Sequence, residues 1–157
     1  MTYKTKLGQI DVSDEQVIVF ENGIPGFQNL RKFTVVNRYS DNPIHWLVSL
    51  EDEYVALPVV NPWLVCVDYS LNLSQLDMQE LNLENQSDLE IWAILTIPKD
   101  SPEKATINLL APIVINLKNK KAKQVIQEDS NYSVRHFVRD EIERSKKIIQ
   151  NSKTGSE

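Results

Sequence analysis

Cysteine and histidine are almost missing from this chain: its 157 residues include one cysteine, Cys66, and two histidines, His45 and His136. A lone cysteine cannot close an internal disulfide, and three such residues cannot assemble a His- or Cys-rich metal site, so structural zinc is excluded. No run approaches the ~18 consecutive apolar residues that a spanning helix needs. The first residues, MTYKTKLGQID, contain no apolar stretch of signal-peptide length. The chain is therefore expected in the cytoplasm, with no membrane contact. Basic residues are the minority, 17 against 22 acids for a net charge of -5. A broad electrostatic grip on nucleic acid needs clustered lysine and arginine, so direct nucleic-acid binding is not expected.

Catalytic signatures are lacking too. There is no G-x-S-x-G elbow, and Gly23 and Gly26 fit neither the dinucleotide-binding nor the phosphate-loop pattern. Cys66 lies in the apolar stretch 64–67 and reads as a small buried hydrophobe, because a reactive thiol needs an accessible, electropositive setting. His45, next to Trp46, reads as a satisfied or surface histidine, and Glu51, Asp52 and Glu53 read as a solvated turn. No enzyme activity, cofactor, metal or catalytic residue is expected.

What is present is the composition of an ordinary globular domain, 41% apolar and 25% charged. Short runs rich in Val, Ile, Phe, Tyr and Trp, bounded by turn residues, predict strands over 4–11, 16–21, 33–37, 44–50, 56–60, 64–68, 89–97, 105–110, 113–117 and 123–127. Pro58, Pro62, Pro98 and Pro112 cannot donate ladder hydrogen bonds and are expected at strand ends, bulges or edges. The stretch 22–32, NGIPGFQNLRK, predicts a shaped turn and one helical turn over 27–31, because its glycines permit positive φ and Pro25 fixes its own. The acidic stretch 74–90 predicts a loop or a short helix over 76–81. Lys118, Lys120, Lys121 and Lys123 gather at a hairpin tip, where they are expected to discourage edge pairing.

Near the end the period changes. Val134, Phe137, Val138, Ile142, Ile148 and Ile149 fall within about 140° of a helical wheel, predicting an amphipathic helix. Glu141 and Ser145 interrupt the apolar stripe, which predicts a helix that frays or awaits a partner. The expected fold class is all-β: a compact, irregular β-barrel-like domain over 1–132, a helical extension over 133–150 and a disordered tail over 151–157.

Several blocks occur in a fixed order: FENGIPGF over 20–27, PIHWLVS over 43–49, NPW over 61–63 leading to Asp68 and Tyr69, TINLLAPIVIN over 106–116, QVI over 124–126 and YSVRH over 132–136. Together they resemble the FliW family of flagellar assembly factors, from about Leu7 to about Val138. The resemblance implies a β-barrel-like fold, no catalysis and two protein partners in the cytoplasm. One is flagellin; the other is CsrA, the small dimeric RNA-binding repressor of flagellin translation. It further implies a switch in which exported flagellin leaves the protein free to bind CsrA, non-competitively with RNA, and to relieve repression. Differential affinity for two partners suffices for this. The chain departs from the family's pattern at Val67, where proline is frequent, at Ala122, where glycine is frequent, and beyond Val138, where the family usually ends.

Rigid loops on a sheet commonly present interfaces, so one binding face is expected from Ile24, Pro25, Gly26 and Phe27, the corner Pro62 and Trp63, and the junction Asn108, Leu109, Ala111 and Pro112. A monomer is favoured. The competing reading is a small-ligand or peptide-binding β module without a flagellar role.

Overall fold

Local hydrogen bonding breaks the first expected strand in two. In the computed structural model, which describes residues 1–155, Thr5 Oγ1 accepts from the Leu7 amide at 3.1 Å and donates to the Gly8 carbonyl at 2.6 Å. Gly8 takes φ +101°. The segment 4–11 is therefore a hairpin of β1 (Thr2–Thr5) and β2 (Gly8–Asp11), a separate two-stranded sheet.

The main sheet contains β3 (Ile18–Val19), β4 (Lys32–Val36), β5 (His45–Ser49), β6 (Ala56–Val60), β7 (Leu89–Thr96), β8 (Thr106–Ile107), β9 (Ile113–Asn116), β10 (Ala122–Gln124) and β11 (His136–Phe137). Its order is β10-β9-β7-β6-β5-β4-β3, with β8 also on β7 and β11 on β8, and every ladder is antiparallel. Pro58 sits inside β6 opposite Trp46, not at an end. The ladder from β6 to β7 covers only Val59 and Val60, so it stops where the proline has no N–H to give.

The two outer strands meet at a single parallel bridge, Val19 with Lys121, where the Val19 amide donates to the Lys120 carbonyl at 2.9 Å. No ladder follows it. The protein is thus mostly β-sheet with a C-terminal helix, and the sheet does not close into the expected barrel.

Two other expectations fail for local reasons. Segment 64–68 is not a strand: Asn61 Oδ1 accepts from the Trp63 amide at 3.0 Å and Pro62 occupies the first position of a 3-10 turn, Pro62–Leu64. A cap and an N-terminal proline outweigh the β-branched residues that follow. Segment 27–31 is a chain of turns, not a helix, with Ile24 bridging Phe27.

Helix α1 (Gln75–Glu80) starts at a capping box in which Ser74 and Asp77 exchange hydrogen bonds. Helix α2 spans Val138–Gly155, beginning at Val138 and not at 133, because His136 and Phe137 pair with β8. It continues over 151–155, where a disordered tail was expected; a helix already nucleated by docked turns extends over weak formers at little cost. Residues 156 and 157 lie outside the described residues.

Apolar side chains bury themselves in three groups. Phe20, Ile24, Phe33, Leu47, Trp92 and Ile113 fill one face of the sheet. Tyr69, Leu95, Ile107 and Leu109 form a second group against Val138 and Ile142 of α2. Leu81, Val114 and Val125 form a third, with Leu71, Leu83 and Ile91 packed against it.

Candidate protein-binding surface

The expected face divides between two of these groups. Ile24 is buried in the first, with Phe27 packed against it, while Pro25 and Gly26 stay exposed. Gly23 takes φ +68°, and a Cβ there would lie 2.5 Å from the Gln28 carbonyl oxygen, so the turn folds back on itself at a point only glycine can occupy.

Pro62, Leu109, Ala111 and Pro112 are buried, Asn108 is half-buried and Trp63 is 37% exposed. Tyr69 ties these together. Trp63 Nε1 donates to the Tyr69 carbonyl at 2.8 Å, the two rings meet edge to face at 5.5 Å, and the Tyr69 hydroxyl donates to the Leu109 carbonyl at 2.7 Å. Asn108 Oδ1 accepts from the Ala111 amide at 3.0 Å, which ends β8 and turns the chain into β9. The Trp63 corner and the 108–112 junction therefore act as one braced unit. The 24–27 turn belongs to the other group and is linked to this unit through Gln124, whose side-chain amide donates to the Ala111 carbonyl at 2.8 Å while the residue lines a depression beside Gly23 and Pro25.

A polar cluster outside the expected face lies where α2 meets the 61–69 loop. Ser145 Oγ donates to the Val65 carbonyl at 2.9 Å and accepts from the Val67 amide at 3.0 Å. Arg144 reaches Asp68 with two nitrogens and Glu141 with Nη2 at 2.9 Å, and donates to Cys66 Sγ at 3.1 Å. The Arg144 guanidinium beside Asp68 holds that carboxyl well below the usual carboxylate range. Burial, followed by the hydrogen bond and charge of Asp68, pushes the Cys66 thiol up to about 12. The thiol is 1% exposed and stays protonated at neutral pH, so it is no nucleophile. Among the described residues no group of three or more His, Cys, Asp or Glu side chains could hold a metal ion, and no helix is long and apolar enough to cross a membrane.

The one sequence signal of this cluster was the interruption of the apolar stripe at Glu141 and Ser145. Those two residues face protein, not solvent: Ser145 is 7% exposed and Glu141 lies between Arg144 and His136.

Comparison with known proteins agrees with this architecture. A family model described as FliW protein matches residues 2–138. The Flagellar assembly factor FliW of Pseudothermotoga lettingae is 62% identical over 157 residues, 100% of both chains. That of Thermotoga maritima is 52% identical over 149 residues, 95% of this chain and 100% of its own. A crystal structure of the flagellar assembly factor FliW is similar with a TM-score of 0.82 at 29% identity, covering 88% of this chain and 96% of that one. The family model stops where α2 begins, so Glu141, Arg144 and Ser145 lie outside it, whereas the Pseudothermotoga match runs through them.

Proposed function

This chain belongs to the FliW family of flagellar assembly factors, and from that membership we propose that it acts in the cytoplasm by binding flagellin and, when free of flagellin, by binding and antagonising CsrA without competing with RNA. Flagellin synthesis would then rise as flagellin is exported. The observation that carries this reading is the match along the whole length of a relative named as a flagellar assembly factor. The chemistry is consistent with it. The protein is acidic and an RNA-binding repressor is a basic partner, which favours encounter. The corner bearing Trp63 is held rigid by Tyr69 and by α2, so it could meet a partner without first losing conformational freedom.

The test is direct. The purified protein is mixed with CsrA and separately with flagellin, and the mass is read by size-exclusion chromatography with light scattering. Discrete complexes with each, and displacement of CsrA by added flagellin, are expected. Absence of both complexes at micromolar concentration would leave the family intact and remove the partner switch.

A further inference from the structure

We propose that the outer edge of β10 is a docking site for an extended, basic segment of a protein partner, which joins the sheet as an added strand. The proposal rests on the reading above that the protein works by binding protein partners.

The edge is open because of the register. Lys123 pairs with Val114, the Val125 amide donates to the Pro112 carbonyl at 2.9 Å and the Asn116 amide donates to the Lys121 carbonyl at 2.8 Å. Backbone groups alternate sides along a strand, so Lys121, Lys123 and Val125 turn theirs to β9, while Ala122, Gln124 and Ile126 turn theirs outward. The bridge to β3 takes the carbonyl of Lys120 and covers the outward side of Ala122, which is buried in the core; β3 then leaves, since the Phe20 amide donates to the Arg31 carbonyl at 2.7 Å. Beyond that point the outward row faces a trough. One depression of about 700 Å³ is lined by Leu76 and Asp77 on one side and by Lys123, Gln124 and Ile126 on the other. A second, of about 220 Å³, shares Lys123 and Gln124 and reaches Gly23 and Pro25. Ile126 is 58% exposed and offers an apolar contact to an alternating side chain.

Two of the lysines expected to guard this edge are neutralised by acids. Lys121 pairs with Glu21 at 2.9 Å, and Lys123 pairs with Asp77 at 2.6 Å and Glu80 at 2.8 Å. Glu128 and Asp129 line the trough as well, exposed and in no ion pair among the described residues. The rim is net negative. Charge complementarity therefore selects a strand carrying lysine or arginine, and a second copy of this chain would bring a like-charged rim against it.

The experiment titrates the isotopically labelled protein with an acetylated peptide of about seven residues alternating lysine and valine, a length that spans a typical strand. A glutamate and valine peptide serves as control. Slowed amide exchange at Gln124 and Ile126 with the basic peptide alone is expected. Ile126→Pro removes one outward N–H that the fold does not use. It should keep the parent melting temperature and weaken the basic peptide about fivefold or more, as loss of one interfacial hydrogen bond does. Glu128→Lys combined with Asp129→Lys should weaken it as well. Unaltered exchange at those amides, equal affinity for the acidic peptide, or protection that arises from dimerisation would each overturn the proposal. Both variants are also mixed with CsrA and flagellin. If a partner binds them as it binds the parent, the docking site is overturned while the partner reading stands. If neither partner binds even the parent, that reading falls and the peptide titration alone decides the edge.

Discussion

Arg144 of α2 holds both carboxylate oxygens of Asp68, with Nη1 2.9 Å from Oδ2 and Nη2 2.6 Å from Oδ1. The pair spans 76 positions of chain and fixes the angle at which the last helix meets the 61–69 loop. Because the side chains are 44% and 49% exposed, solvent screens the attraction, and Arg144→Ala should cost only about 1 kcal/mol at neutral pH.

The pH dependence of that cost follows from the direction of the Asp68 shift. Its folded pKa is depressed, first by the hydrogen bond from Arg144, so its contribution is complete above the unfolded value of about 4 and is lost as the pH falls through the folded value. Urea unfolding of parent and Arg144→Ala at neutral and at strongly acidic pH should show a gap that closes in acid. A gap of constant size would mean that Arg144 acts through packing alone.

Ser145→Ala tests the helix anchor without touching charge. It strips a partner from the Val65 carbonyl and from the Val67 amide at once, and should cost about 1 to 3 kcal/mol in chemical denaturation, more than Arg144→Ala. The reverse order would place the main anchor on the ion pair.

Two alanine substitutions in the 22–28 turn should separate steric from conformational demands. Gly26 has φ +90° and a Cβ added there would meet nothing within 4 Å, so Gly26→Ala carries only the backbone strain of about 1 to 2 kcal/mol. Gly23→Ala adds a collision with the Gln28 backbone and should lower the melting temperature well beyond that. Equal melting points would show that the turn can move away.

Cys66 should react with a disulfide reagent at mildly alkaline pH only as fast as the loop opens, because its thiol is buried and pushed up to about 12. Ser145→Ala, by loosening the same loop, should speed that reaction; an unaltered rate would uncouple the loop from the helix.

How much of this could be read from the residues differs from place to place. β5 and β6 stand close to expectation because short, nearly continuous apolar runs bounded by turns define them. Segment 64–68 misled because its composition is that of a strand while Asn61 and Pro62 had already started a helical turn. The breaks in the α2 stripe looked like weakness and are its attachment points, since Ser145 satisfies backbone groups 78 and 80 residues away that no periodicity can reveal. The expected face was legible only residue by residue. That Tyr69 joins Trp63 to Leu109, while Ile24 packs elsewhere, depends on contacts between distant segments.

The seam between Val19 and Lys120 sets where this domain can yield. Separating β5 from β6 would break a ladder of four residue pairs, but opening the seam breaks a single bridge. Breathing motions should therefore concentrate between β3 and β10, with the Val19 amide exchanging ahead of the central strands. The sheet is stiff across its middle and compliant along one boundary, and that boundary borders the trough beside Gly23, so the trough's width can adjust to side chains of different size while the central ladders keep their register.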